Sequence, residues 1–268
     1  MTRPDTPRIV PNEAYDAFDE STGFSLDTHS IMLCRRGSQT HGTDNEQSDE
    51  DYFGVVVPPT RRLIGLSQFD NWKYPEEKEL DVNIFSFRKY VGLLIKNNPT
   101  VLETLWLRRI DYCNSGTKHA FRVLMQNRDM FSSLRAYHAF SGYAYDQLRR
   151  MEKGATNARM GAKRKAIVAK YGYDTKNASH LLRLYRMGIE FVETGELTVY
   201  RPDREELLAV KNGEWTLEAV KTEAEILHER MRDAKETSPL PKEPDTAAIE
   251  KLLVGITWDY MQKEVDFS

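Results

Sequence analysis

The stretch that decides the fold is residues 30–57, SIMLCRRGSQTHGTDNEQSDEDYFGVVV. Apolar residues dominate Ser30–Arg36, which predicts a β-strand that ends where the chain turns at Gly37. A second strand is predicted for Tyr52–Val57, because this run is equally apolar and a Pro-Pro pair stops it. The segment between the two strands is polar and acidic, so we expect the chemistry to lie there.

Two carboxylates stand at the end of this acidic segment. Asp49 and Asp51 are two residues apart, and alternate side chains of an extended strand point the same way, so both should project from one face, with Glu50 on the other. Adjacent ionised carboxylates repel each other, and a hard divalent cation such as Mg²⁺ removes that cost. Upstream, Gly37 would let a phosphate approach the backbone, and Ser38 offers a hydroxyl and an N–H to phosphate oxygens.

A third carboxylate is predicted on a later strand. Leu80–Phe85 alternates in polarity, with Asp81 and Asn83 on one face and apolar residues on the other. Glu79 shares the face of Asp81 but lies in the charged segment before the strand.

The acidic segment has other interpretations. An Asp-x-Asp pair alone is often a solvated turn. An EF-hand calcium loop is excluded, because position 12 counted from Asp49 is Thr60 rather than glutamate. A phosphate-binding P-loop is excluded, because no Gly-Lys-Ser/Thr follows the glycine.

Beyond Ser86 the apolar period becomes that of helices. Helices are expected at Phe87–Lys96, from 99 to 106, and near 116–129, 133–152, 160–170, 175–193, 216–235 and 245–263, with a short extended piece at Leu197–Tyr200. We therefore predict an α+β protein with three parts: a polar lead-in (1–29), a core with a small mixed sheet (30–110) and a mainly helical C-terminal domain (111–268).

The composition is that of a soluble protein. The chain has 268 residues, of which 40% are hydrophobic and 29% charged, and its net charge is −3. No apolar run approaches the roughly 18 residues that span a bilayer, and no secretory segment follows the polar N-terminus. Cys34 and Cys113 lack metal-ligand spacing and are expected to be buried thiols. These features predict a cytoplasmic protein without a membrane partner.

An apolar strand, Gly-Ser, about a dozen residues and Asp-x-Asp entering another strand resembles the signature of the DNA polymerase beta-like nucleotidyltransferase superfamily. Seven segments also resemble, in order, a branch of predicted nucleotidyltransferases that accompany RNA ligases: GSQTHGT, SDEDYFGV, LDVNIFSFRKYVGLL, NPTVLETLW, GYAYDQLRRM, KNASHLLRLYRMG and TGELTVYRPD. The likeness covers roughly residues 30–215. It implies a polymerase beta-type catalytic core in which Asp49, Asp51 and a third carboxylate from a later strand hold two Mg²⁺ ions, with Mn²⁺ as an alternative. Asp81 is the expected third ligand, and a register slip would put Glu79 in its place. Glu50 departs from the superfamily, where an apolar residue is common.

Positive charge is concentrated in the segment 149–186, which holds 11 Lys/Arg and two Asp/Glu. With Asp174 or Thr175 as the N-cap, Lys176, His180 and Arg183 fall on one face of a helix. That face is expected to be free, because the opposite face is apolar. The resemblance implies that these three residues bind the nucleotide triphosphate or nucleic acid, and an ordinary solvated face is the alternative.

A second basic group, Lys163, Arg164 and Lys165, lies upstream with two tyrosines nearby, and could follow an RNA backbone. A solvated basic helix is equally consistent with it. The predicted reaction moves an NMP group from an NTP to a hydroxyl, with RNA favoured as acceptor and an RNA ligase as a functional associate. A protein or small-molecule acceptor, or a non-catalytic nucleotide- or RNA-binding module, are the alternatives. The sequence leaves open which NTP is used and whether His41 and Glu103 take part.

Overall fold

The computed structural model describes residues 10–46, 48–74, 80–108, 111, 119–153 and 162–265. The chain forms two compact units, each assembled from separated segments. Unit 1 comprises Met1–Ile95, Leu107–Phe131 and Asp245–Ser268, and unit 2 comprises Lys96–Trp106 and Ser132–Pro244. None of the helices in the described ranges is long and apolar enough to cross a membrane.

Four strands form one mixed sheet in unit 1. They are β1 (Ser30–Arg36), β2 (Asp51–Val56), β3 (Asn71–Lys73) and β4 (Asp81–Ser86). Their order is β1-β2-β4-β3, with β1 antiparallel to β2, β2 parallel to β4, and β3 antiparallel to β4. The first, second and fourth strands confirm the predicted ones to within one residue at each end, whereas the short β3 was not predicted.

Helices make up most of the remaining structure. They are α1 (Asn12–Thr22), α2 (Leu26–His29), α3 (Ser38–His41), α4 (Thr60–Leu63), α5 (Phe87–Ile95), α6 (Pro99–Leu102), α7 (His119–Gln126), α8 (Arg135–Lys153), α9 (Ala162–Tyr171), α10 (Thr175–Thr194), α11 (Arg204–Lys211), α12 (Leu217–Thr237) and α13 (Thr246–Val265). The predicted α+β class, with a small mixed sheet and a helical C-terminal region, is confirmed. Helix α11 was missed, and Leu197–Tyr200 is not a strand, although Leu197 and Val199 are buried.

The N-terminal segment is part of the core of unit 1 and not only a polar lead-in. Helix α1 buries Ala14, Tyr15 and Phe18 against Tyr52 and Ile84 of the sheet. The segment is polar on average because Ala14 and Tyr15, each one turn before Phe18, lie among acidic residues. The opposite face of the sheet packs on α5, and Cys34 is buried as expected.

The two units do not follow the predicted division at residue 110. The segments 107–131 and 245–268, which we assigned to the helical domain, belong to unit 1. Helix α13 packs on α5 and on the 3₁₀ turn Arg128–Phe131, all within unit 1. The sequence showed a change of period but no sign that the chain returns to its first unit.

Unit 2 is organised around α10, which packs on α8, α11 and α12. Gly188 lies where α10 meets α8, and a Cβ atom at this position would be 2.7 Å from the Cβ of Phe140. Arg186 joins α10 to its neighbours, because it donates to Asp203, Glu206 and Glu223 at 2.8–3.1 Å. Burial acts to lower the pKa of Arg186, but the hydrogen bonds to these three carboxylates raise it above its ordinary value.

Candidate active site

The sheet brings three charged residues together at one of its ends. Asp51 begins β2 and Asp81 begins the parallel strand β4, and the two are direct register partners. Arg36, the last residue of β1, is the antiparallel partner of Asp51. Register partners on neighbouring strands project from the same face, so the order across this end of the sheet is Arg36, Asp51, Asp81. The parallel register of β2 and β4 therefore places Asp51 next to Asp81.

Asp49 lies outside the strand. Because β2 begins at Asp51, the expectation that Asp49 and Asp51 project together from one strand does not apply. Asp49 is exposed in the segment that leads into β2. Glu50, the departure from the superfamily pattern, accepts a hydrogen bond of 2.8 Å from the hydroxyl of Tyr52, a side chain buried on the other face of the strand. The carboxylate that competed with Asp81 in the sequence, Glu79, lies outside the described residues.

The Gly37–Ser38 turn contacts Asp51 directly. Gly37 has φ +77° and ψ −149°, a backbone conformation that is essentially restricted to glycine. A Cβ atom on Gly37 would lie 2.3 Å from Oδ2 of Asp51, so the missing side chain makes room for that carboxylate. The turn is closed by Thr40 Oγ1, which donates to the Gly37 carbonyl oxygen at 2.9 Å. His41, also in this turn, is buried.

Asp81 has a defined partner on each carboxylate oxygen. The amide Nδ2 of Asn83 donates to Oδ1 at 2.7 Å, and Nη2 of Arg36 lies 3.8 Å from Oδ2. Alternating burial along β4 places Asp81 and Asn83 on the face opposite Val82 and Ile84, as the sequence predicted. Sequence reasoning missed Arg36, whose position opposite Asp51 depends on strand pairing, and overlooked Asn83 as a partner of Asp81.

This end of the sheet fits a hard divalent cation at two carboxylates. Asp51 and Asp81 offer only oxygen ligands side by side, and the backbone beside them is free of a side chain at Gly37. Within the described ranges, no three His, Cys, Asp or Glu residues are grouped closely enough to hold a metal ion. A third ligand at Asp49 would therefore need the segment before β2 to change its conformation.

In unit 2 the predicted basic face is only partly present. Of the two predicted N-cap residues, Asp174 is the N-cap of α10, and it accepts from the backbone N–H of Asn177 at 3.0 Å. Lys176 is exposed and His180 is half-buried. Arg183, however, is 8% exposed and pairs with Glu103 at 3.4 Å, so the expectation that it lies on a free face was wrong. Burial lowers the pKa of Arg183, and Glu103 opposes that shift.

The basic stretch presents less free charge than its composition indicates. Arg183 and Arg186 are paired with acidic residues that lie outside the segment 149–186. Arg164 is half-exposed but lies 3.7 Å from Asp174, while Lys165 is exposed. The side chain of Lys163 lies outside the described part of the structure. An RNA contact by these three residues stays a prediction.

A sheet whose first strand is followed by Gly-Ser, and whose parallel strands both begin with aspartate, fits the polymerase beta-type core that the sequence resembles. Residues 25–255 match the model of the RlaP family, the RNA repair pathway DNA polymerase beta family. The match covers most of the chain, which therefore belongs to this family and is a nucleotidyltransferase. The resemblance drawn from the sequence is confirmed.

A solved structure of a nucleotidyltransferase-like protein from Exiguobacterium sibiricum 255-15 is 12% identical and covers 85% of this chain and 75% of that one. Its TM-score of 0.28 is too low to support a structural argument. No curated protein sequence matches the chain at a significant level.

Proposed function

We propose that the protein transfers a nucleoside monophosphate from an NTP to a hydroxyl group of RNA, with Mg²⁺ bound by Asp51, Asp81 and Asp49. The observation that carries this proposal is the register of Asp51 and Asp81 on adjacent parallel strands, with the Gly37 backbone against the Asp51 carboxylate. The family, whose description places it in RNA repair, supports RNA as the acceptor.

Each residue of the candidate site has a separate role in the proposed reaction. Gly37 and Ser38 bind the triphosphate through the backbone N–H groups and the Ser38 hydroxyl of their half-buried turn. The acceptor oxygen forms a bond to the α-phosphorus while the bond to the β-phosphate breaks, and pyrophosphate leaves. Asp81 receives the acceptor's proton. When bound, Mg²⁺ stabilises the negative charge that develops on the acceptor oxygen and the leaving group.

In this proposal Asp49 completes the metal site only when the cation is present. Asp49 is exposed and lies two residues before Asp51 in the chain. The contacts of Lys176 and His180 with a triphosphate remain predictions that concern unit 2.

The test measures pyrophosphate release and label transfer from each of the four NTPs, with total RNA, total protein and small hydroxyl compounds as separate acceptors. Wild type is compared with Asp51→Asn and Asp81→Asn, and with Asp44→Asn, an exposed carboxylate of the same segment, as the matched control. Removing a metal ligand should lower transfer at least about a hundredfold, since it removes several kcal/mol of transition-state stabilisation. Near-normal transfer by either variant would refute the metal assignment, and transfer only to protein or a small molecule would refute the RNA acceptor.

A further inference from the structure

Arg36 and Asn83 each contact one oxygen of the Asp81 carboxylate. Asn83 is two residues beyond Asp81 on the same face of β4, and its amide donates to Oδ1. Arg36 approaches from β1, two strands away, so its long side chain passes over Asp51 to bring Nη2 within 3.8 Å of Oδ2. One carboxylate oxygen therefore has a hydrogen bond, and the other has a looser ion pair.

The two contacts differ in strength. At 2.7 Å the Asn83 contact is a normal hydrogen bond, whereas 3.8 Å is too long for one and leaves only Coulomb attraction between Arg36 and Asp81. The side chains of Arg36 and Asp81 are 30% and 39% exposed, so water screens the attraction and the pair separates at low cost. A divalent cation can therefore replace Arg36 beside Oδ2 of Asp81, the cation face of this carboxylate.

The proposed function, on which this inference rests, gives that face a role. Asp51 and Asp81 repel each other when both are ionised, and the guanidinium of Arg36 offsets this repulsion in the absence of a divalent cation. A divalent cation carries twice the charge of the guanidinium and would displace it. Once displaced, the guanidinium needs another anion, and a triphosphate is the anion that arrives with the metal.

We propose that Arg36 is a positioning residue that occupies the cation face of Asp81 before nucleotide binds and then transfers to the triphosphate, while Asn83 holds the Asp81 carboxylate in its orientation throughout. Arg36 thus opposes binding of a metal ion alone and favours binding of a metal ion together with a nucleotide. The two effects have opposite signs, which a residue that only supports the fold would not produce.

The experiment uses the full chain and Mn²⁺ alone as the probe, with free Mn²⁺ measured by electron paramagnetic resonance. Arg36→Gln should bind Mn²⁺ about threefold to tenfold more tightly than wild type, because a competing charge near a part-exposed site is gone. The same variant should show a KM for the Mn²⁺–NTP complex raised about tenfold. Arg36→Lys keeps the charge and should leave Mn²⁺ affinity within about twofold of wild type.

Arg88→Gln is the matched control, because it removes the same charge from an exposed position on α5, beyond the opposite end of β4. It should change neither quantity. Asn83→Leu should weaken Mn²⁺ binding about tenfold or more, as expected when a side chain that orients a metal ligand is removed. Unfolding curves confirm that each variant is folded.

The outcomes separate the two proposals. If wild type and Arg36→Gln bind Mn²⁺ equally well, the metal site stands and the role of Arg36 is refuted. If neither protein binds Mn²⁺ with or without NTP, the metal assignment falls and this inference falls with it. A lower Mn²⁺ affinity of Arg36→Gln would also overturn it, because Arg36 would then support the metal site instead of competing with the metal.

Discussion

Replacing Gly37 by alanine should disturb the geometry of the candidate site while unit 1 remains folded. At φ +77° and ψ −149°, an alanine costs about 1–3 kcal/mol of folding free energy. The new Cβ would also lie 2.3 Å from Oδ2 of Asp51, so this carboxylate must move by roughly 1 Å or more to reach ordinary contact distance. Misplacement of a reacting group by about 1 Å costs on the order of a hundredfold in rate. Gly37→Ala should therefore remain folded at 25 °C yet lose about 99% of its transfer activity.

The assay combines urea unfolding with pyrophosphate release at saturating NTP, and two other glycines of unit 1 serve as controls. Gly23 has φ +73° with nothing within 4 Å of an added Cβ, so Gly23→Ala costs about 1–2 kcal/mol of stability without disturbing the site. Gly92, within α5, also has open space, so Gly92→Ala should gain up to about 1 kcal/mol. Transfer by Gly37→Ala within threefold of wild type would refute the reasoning. An equal loss in Gly23→Ala would show that activity follows stability instead of the displaced carboxylate.

Three further predictions concern unit 2. In urea unfolding, Gly188→Ala should lower the free energy of unfolding by about 2–3 kcal/mol, because its Cβ would meet the Cβ of Phe140 at 2.7 Å. Gly142→Ala is the control and should not destabilise the protein, because the space around its Cβ is open. Equal stabilities of the two variants would contradict this prediction. Burial acts to raise the pKa of Asp203, but Arg201 and hydrogen bonds hold this pKa below its ordinary value of 3.8. The ionised Asp203 therefore stabilises the fold fully above about pH 4, and this stabilisation is lost as the pH falls through the lowered pKa. Urea unfolding of Asp203→Asn should show a shallower loss in that acid range, and an unchanged slope would refute the pairing. Charge reversal at 163–165 should weaken the binding of single-stranded RNA and leave NTP binding unchanged. The slope of log affinity against log salt concentration should become smaller by about 0.7 for each phosphate that the protein no longer neutralises. RNA binding that does not depend on salt would refute an interaction with a polyanion.

The elements that local pattern defines were predictable from the sequence. The alternation of Leu80–Phe85 predicted β4 with Asp81 on its polar face, and the apolar run Ser30–Arg36 predicted β1 with its observed ends. The cap at Asp174 indicated the start of α10. The three-residue strand β3 was missed, because a run that short carries too little periodicity to be distinguished from a loop.

The parts of the site that depend on long-range pairing were not predictable. Asp51 and Asp81 were expected together only by resemblance, and their direct pairing follows from a parallel register that no local pattern specifies. Arg183 falls on the polar side of its helix in sequence, yet its partner Glu103 lies 80 residues away along the chain. The hydrogen bond between Asn83 and Asp81, in contrast, joins residues two apart on one strand and could have been anticipated.

The interleaving of the two units has a consequence for how the protein is made. The sheet of unit 1 is complete once residue 86 has been synthesised, but α13, which packs on α5, follows the whole of the segment 132–244. On the ribosome, this segment of unit 2 can therefore become compact before unit 1 receives its last helix. A compact insertion brings its two ends closer than a flexible chain of the same length, which lowers the entropic cost of returning to unit 1. Chains truncated after residue 244 and released from the ribosome should hence contain a protease-resistant unit 2 and an α5 that lacks its partner helix.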